Sequence, residues 1–172
     1  MKKLIVIPAL ISSLRFAALP LFFYLYNRGS ITTSVILLAF CVATDFLDGY
    51  LARQLHVSSR FGAYWDATTD FILIIGIFGI FYSKGYYPAW LLVLIAVSFA
   101  QFLATSYFSK KVYDPVGRYF GSALYIGIAL TLLWPTEASF IFVQCAFVVF
   151  FLISLLSRIG NITSKKSKLI VT

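Results

Sequence analysis

A chain of 172 residues that is 61% hydrophobic and only 12% charged carries more apolar surface than a soluble domain of its size can bury, which places it in a membrane class. Its net charge of +8 would suit a nucleic-acid binder, but the basic residues fall between long apolar runs, and no nucleic-acid partner is expected. Cys41 and Cys145 both lie within apolar runs, where packing accounts for them better than a disulfide or a metal pair.

Six apolar stretches approach or reach the length needed to cross about 30 Å of hydrocarbon as a helix. In chain order they are 5–27, 32–52, 61–83, 87–108, 116–134 and 138–157. The first follows Met1-Lys2-Lys3 and so resembles a signal peptide, but Pro8 and Arg15 interrupt it and another apolar run follows directly. It reads as a retained first helix. Short connections make consecutive helices antiparallel neighbours, so the expected fold class is all-α: a polytopic bundle of six transmembrane helices. Residues 1–160 form one transmembrane domain, and 161–172 form a polar, basic and mobile tail. Trp65, Trp90 and Trp134 are expected as interfacial anchors, with Trp65 also beside the carboxylate Asp66.

Threading the chain with its N-terminus inside gathers Lys2, Lys3, Arg53, Arg60, Lys110, Lys111, Arg118, Arg158, Lys165, Lys166 and Lys168 on one side. Arg28 and Lys84 fall on the other, and Arg15 lies within a span. That asymmetry predicts cytoplasmic termini in the cell membrane, with the tail lysines attracted to anionic headgroups.

The six acidic residues are Asp45, Asp48, Asp66, Asp70, Asp114 and Glu137, and the first four fall in or at the edge of the second and third spans. A carboxylate at membrane depth costs several kcal/mol unless it is paired, hydrated or bound to a cation, so such a cluster points to function. Asp45, Asp48, Gly49 and Ala52 share one stripe of the second helix, and Gly62, Asp66 and Asp70 share one stripe of the third. The second helix runs inward and the third outward, so both stripes lie near the cytoplasmic face. Gly49 and Ala52 leave the acidic stripe without bulky neighbours, and Gly62 permits close approach of helix or ligand. Four hard carboxylates without His or Cys suit Mg²⁺ or Mn²⁺, and two ions could serve both the entering and the leaving oxygen of a phosphoryl displacement. Arg53 at the mouth is placed to neutralise a phosphate oxygen.

The pattern Asp45-x-x-Asp48-Gly49-x-x-Ala52-Arg53, then eight residues, then Gly62-x-x-x-Asp66-x-x-x-Asp70 resembles the signature of the CDP-alcohol phosphotransferase family at every fixed position. The segment from Pro8 to Arg15 is similar to the Pro-Asn-x-x-Thr-x-x-Arg start of many members, with Ala9 and Ser12 departing from it. The resemblance implies a CDP-linked lipid donor, CDP-diacylglycerol or an archaeal ether analogue. It implies that Asp45, Asp48, Gly49, Ala52 and Arg53 hold the CDP moiety, with Gly62 beside them. It assigns metal to Asp45, Asp48, Asp66 and Asp70, and gives Asp70 the role of general base on a small alcohol, with CMP leaving. A homodimer is implied by analogy alone.

The acceptor is less defined. Lys111, Arg118 and Arg158 lie on the catalytic side and would suit a phosphate on the acceptor, such as glycerol 3-phosphate or inositol phosphate. Glycerol 3-phosphate enzymes of the family often carry Asp-Pro-Leu-Ala-Asp-Lys across the last two aspartates, where this chain has Asp66-Ala67-Thr68-Thr69-Asp70-Phe71. They also often carry Gly-Lys-x-x-Thr-x-x-Gln where this chain has Gly117-Arg118-Tyr119-Phe120-Gly121-Ser122-Ala123-Leu124. A non-phosphorylated acceptor such as serine therefore stays open. From a different class, a cation transporter could also use intramembrane carboxylates, but it would need polar groups in the outer half, and apart from Arg15 the other four helices carry no internal charge.

Overall fold

A computed structural model describes the backbone of residues 2–54, 60–109 and 115–170, and side chains at 15–44, 47, 62, 64–104, 106 and 121–157. Among the described residues the secondary structure is all helix, in the order α1 (Lys2–Asn27), α2 (Ile31–Gln54), α3 (Arg60–Ser83), α4 (Ala89–Ser109), α5 (Pro115–Leu133) and α6 (Glu137–Ile170). Each expected span falls on one of these helices. The exception in extent is α6, where the segment from Asn161 expected as a mobile tail continues the helix to Ile170. Its polarity removes the apolar signal of a span, but nothing between Asn161 and Ile170 is a proline or glycine that would end an i→i−4 ladder.

Local chemistry sets the helix ends. α1 and α3 close on the same device, a glycine in the left-handed region: Gly29 at φ 73° and Gly85 at φ 78°. Gly29 N–H donates to the Tyr26 carbonyl at 3.0 Å and Ser30 N–H to Leu25 at 3.1 Å. The α3 end repeats this with Gly85 to Tyr82 at 2.9 Å and Tyr86 to Phe81 at 3.0 Å, so both helices satisfy their last carbonyls before the chain reverses. α6 opens on a reciprocal cap, in which Thr136 N–H reaches Ser139 Oγ and Ser139 N–H reaches Thr136 Oγ1, each at 3.3 Å.

α3 is the central helix, packing against α1, α4 and α5; α1 and α5 each also pack against α2, and α6 covers α4 and α5. α1 and α3 approach closely where Gly76 faces Leu19, since a Cβ at Gly76 would stand 2.6 Å from the leucine methyls. The surface is the reverse of a soluble protein's. Arg15, Ser34, Thr69, Ser106, Thr131 and Ser154 are buried, whereas Phe142 is 64% and Leu156 67% exposed, with many other large apolar side chains turned outward. So apolar an exterior is consistent with a membrane protein. Among the described residues, Tyr64–Ser83 and Glu137–Ser157 are long and apolar enough to cross a membrane by length and composition. Ile31–Thr44, Ala89–Ala104 and Gly121–Leu133 are shorter apolar helical stretches. Cys41 is buried and Cys145 exposed, both as free thiols, so the packing expectation holds for Cys41 and not for Cys145. Trp90 and Trp134 are 46% and 60% exposed, at the start of α4 and just past the end of α5.

Candidate active site

The site is built on the first half of α3. Asp66 and Asp70 are one turn apart on that helix, so their carboxylates share a face and repel each other unless a cation stands between them. The cation is Arg15 from α1. Its Nη1 donates to Asp66 Oδ1 at 2.7 Å and lies 2.9 Å from Asp70 Oδ1 in an ion pair. Thr69 Oγ1 is 3.5 Å from the same nitrogen and is aimed there by its own hydrogen bond to the Asp66 carbonyl at 2.8 Å. The guanidinium is 1% exposed, against 34% for Asp66 and 22% for Asp70. A buried charge on the apolar α1 is thus paid for by two half-buried carboxylates that need it equally.

From a third helix, Tyr125 on α5 donates its hydroxyl to Asp70 Oδ1 at 3.0 Å. Three helices therefore meet at Asp70: α3 carries it, α1 sends Arg15 and α5 sends Tyr125. Apolar walls surround the pair. Trp65, next to Asp66, packs edge-on against Phe16 of α1 with centroids 6.0 Å apart. Phe71, next to Asp70, stacks on Phe99 of α4 at 4.1 Å. Trp65 thus serves as a wall of the site, pinned to α1. Gly62 lies one turn before Asp66 on α3 and is half-buried.

The other expected residues are placed by their backbones alone. Asp45, Asp48, Gly49, Ala52 and Arg53 are on the second half of α2, with side chains outside the described residues. α2 packs against α1 and α5, the two helices that reach Asp70. Arg118 lies in the first turn of α5 and Arg158 on α6, again with undescribed side chains, and Lys111 lies outside the described residues altogether.

Sequence reasoning missed two partners of the aspartates. Arg15 was detectable: a single arginine inside an apolar span requires an anion, and the acids available at membrane depth were on α2 and α3. Tyr125 carried no such signal, being one of 11 tyrosines on a helix whose rotation the sequence does not fix.

Among the described residues no three His, Cys, Asp or Glu side chains form a metal cluster. The described pair still fits a hard divalent cation as part of a larger set, because Asp66 and Asp70 present carboxylate oxygens on one helix face and both remain partly exposed. Any ion there would share these carboxylates with Arg15.

The family model of the CDP-alcohol phosphatidyltransferase matches residues 5–159. A CDP-diacylglycerol--glycerol-3-phosphate 3-phosphatidyltransferase of Pseudomonas fluorescens is 44% identical over 71 residues, covering 40% of this chain and 36% of the relative. The enzyme of the same description from Escherichia coli K12 is 31% identical over 98 residues, covering 55% of this chain and 53% of its own. A cardiolipin synthase (CMP-forming) of rice is 32% identical over 75 residues, covering 42% of this chain and 23% of that protein. The aligned segments thus span about half or less of these relatives, whereas the family model runs through all six helices. By that match, which includes both described aspartates and the Arg15 that joins them, the chain belongs to the CDP-alcohol phosphatidyltransferase family.

Proposed function

We propose that the protein transfers the phosphatidyl group of CDP-diacylglycerol, or of an ether-linked analogue, to the hydroxyl of a small phosphorylated alcohol, releasing CMP. The observation that carries this reading is the Asp66–Asp70 pair, held by Arg15 and Tyr125 on the central helix of a chain of this family. The relatives in Pseudomonas fluorescens and Escherichia coli, named for glycerol 3-phosphate, favour that acceptor. The chain's departures at Ala67 to Phe71 and at Gly121 to Leu124 leave inositol phosphate and serine as outcomes of the test.

Asp45, Asp48, Gly49, Ala52 and Arg53 of α2, with Gly62 of α3, hold the CDP pyrophosphate and cytidine. The acidic residues Asp45, Asp48, Asp66 and Asp70 hold Mg²⁺ or Mn²⁺, two ions in the fullest reading. Bound metal supplies electrophilic polarisation of the phosphate and acidifies the acceptor hydroxyl. Asp70 takes the proton from that hydroxyl, whose oxygen attacks the lipid-linked phosphorus. Arg15 pairs with the third and fourth carboxylates and fixes their separation. Lys111, Arg118 and Arg158 receive the phosphate of the acceptor. All six helices span the cell membrane with both termini and the site on the cytoplasmic side, residues 1–160 act as one transmembrane domain, and 161–172 extend it as a basic cytoplasmic segment. Two copies pair as a homodimer, to be read by mass in detergent.

The test is purified protein with CDP-diacylglycerol, Mg²⁺ or Mn²⁺, and labelled glycerol 3-phosphate, inositol phosphate, serine and inositol. CMP release with a phosphorylated acceptor is the expected result. No CMP with any acceptor, together with CDP-lipid binding no better than that of Asp48→Asn, would sink the enzymatic reading and leave a cation transporter to be tried.

A further inference from the structure

α1 and α3 run in the same direction, because their contacts climb together from Arg15–Asp66 through Leu19–Gly76 to Phe22 and Tyr26 on Phe81. Each finishes on a basic residue followed by a left-handed glycine, Arg28-Gly29 and Lys84-Gly85. Both cations still belong to their helices, since Arg28 N–H donates to the Tyr24 carbonyl and Lys84 N–H to Ile80, each at 3.2 Å. Helical spacing therefore reaches them. Pro20, Tyr24 and Arg28 form one stripe of α1, and Gly76, Ile80 and Lys84 form one stripe of α3, each at i, i+4 and i+8.

Where these stripes begin lies an apolar groove of about 330 Å³, lined by Leu19, Pro20, Phe23, Gly76 and Ile80. Gly76 has no side chain and Pro20 only a compact ring, which leaves the seam between the helices hollow. Pro20 and Phe23 are exposed, so the groove opens on the exterior of the bundle. From Gly76 to Lys84, and from Pro20 to Arg28, the rise is ~12 Å at about 1.5 Å per residue. That is less than the ~15 Å of hydrocarbon in one leaflet. Arg28 stacks on the Tyr24 ring with Cζ 4.6 Å from its centroid, which uses the face of the guanidinium and not its N–H edge. Among the described residues neither Arg28 nor Lys84 meets a carboxylate. Glu137, the acidic residue at this end, begins α6, which packs on α4 and α5.

We propose that the groove and the two cations beyond it bind one anionic phospholipid of the leaflet in which α1 and α3 end. An acyl chain lies along the groove, and the phosphate sits between Arg28 and Lys84. The inference rests on these helices crossing the membrane and is independent of the reaction. The site is at the opposite end of α3 from Asp66 and Asp70, so the lipid it holds is not the donor. Groove and cations select together: the groove accepts any acyl chain, and the cations require a net negative headgroup.

The test titrates full-length protein in detergent with phosphatidylglycerol or phosphatidylcholine and counts bound lipid by native mass spectrometry. Wild type should hold one phosphatidylglycerol at least about tenfold more tightly than phosphatidylcholine, since each cation near an anionic headgroup contributes about fivefold. Arg28→Gln with Lys84→Gln should bring the two lipids to within about twofold and remove the thermal stabilisation that phosphatidylglycerol gives wild type. An unchanged preference overturns the site and leaves the two cations as complements of the helix dipoles alone. Asp70→Asn should keep the wild-type preference; its loss there would assign the lipid to the active site and overturn the proposal. Phe23→benzoylphenylalanine, irradiated in phosphatidylglycerol vesicles, should gain the mass of one phospholipid, whereas cross-linking to a second copy of the chain overturns the lipid in favour of a protein interface. If the double variant does not fold, Lys84→Gln decides: a fall in preference of about fivefold supports the site, and no fall overturns it. Every readout is lipid retention or adduct mass, so a protein that releases no CMP defeats the proposed reaction and leaves this site standing.

Discussion

The two halves of α3 are built on opposite principles. The second half, from Leu73 to Phe81, is almost wholly apolar and buries Leu73, Ile74, Ile77, Phe78 and Phe81 to within a few per cent. Phe78 touches Phe81 at 5.9 Å, Tyr87 at 5.5 Å and Phe147 at 5.6 Å, and Phe81 in turn meets Phe22 and Tyr26 of α1. Many interchangeable dispersion contacts hold that end. The first half holds Asp66, Thr69 and Asp70 by a few directional contacts to one arginine and one tyrosine. Distributed packing tolerates small changes, while directional contacts depend on the placement of single atoms. One helix thus anchors the bundle at one end and presents the paired carboxylates at the other.

The largest expected effect that separates the halves is Asp70→Asn. The amide keeps the shape of the carboxylate but is no base, so CMP release should fall by about 10³-fold or more while CDP-lipid binding is largely kept. Loss of lipid binding in proportion would move Asp70 from catalysis to assembly of the site. Asp45→Asn should instead lose metal and nucleotide together, which a paired Mn²⁺ and CDP titration would show. Next in size is Phe78→Ala at the aromatic end, where removing a fully buried ring should cost about 3–5 kcal/mol and lower the thermal midpoint in detergent. The protein that remains folded should bind Mn²⁺ and release CMP at the ordinary rate. Should it lose Mn²⁺ affinity as well, the halves are coupled and the comparison breaks.

Much of this division is visible in the residues themselves. The run of apolar and aromatic residues after Phe71 and the spaced aspartates before it are both readable, because periodicity and the cost of a membrane carboxylate act locally. The same reasoning marks a stripe on α2, whose side chains lie outside the described residues, and the need of Arg15 for an anion was readable too. The convergence of Arg15 and Tyr125 on one oxygen was not, since it depends on the rotation of α1 and α5 about their axes, which tertiary packing fixes. The helical course of α6 to Ile170 was also hidden, because hydropathy reports solvent preference and Asn161 to Lys168 prefer water whether or not their backbone is helical. Arg118 and Arg158 show the limit from the other direction: chain order puts both at the end of the bundle where α3 begins, and hydropathy does not fix where a side chain points.

The smallest effect isolates the backbone. Gly79 and Gly85 both sit at the aromatic end of α3, and an added Cβ meets nothing within 4 Å at either. They differ in φ: Gly85 stands at +78°, where it closes the helix, whereas Gly79 is an ordinary helical residue. Gly85→Ala should therefore destabilise by about 1–2 kcal/mol through the strain of a Cβ in the left-handed region. Gly79→Ala should stabilise by up to about 1 kcal/mol through reduced backbone freedom in the unfolded chain. Thermal midpoints in one detergent, measured side by side, should move in opposite directions. CMP release at low temperature should be unchanged in both, because neither touches Asp66, Asp70 or their partners. If both substitutions lower the midpoint, lipid or detergent packing against Gly79 outweighs its propensity. If either alters turnover, the two ends of α3 communicate through the helix, and the packed end would then have to be counted as part of the catalytic apparatus.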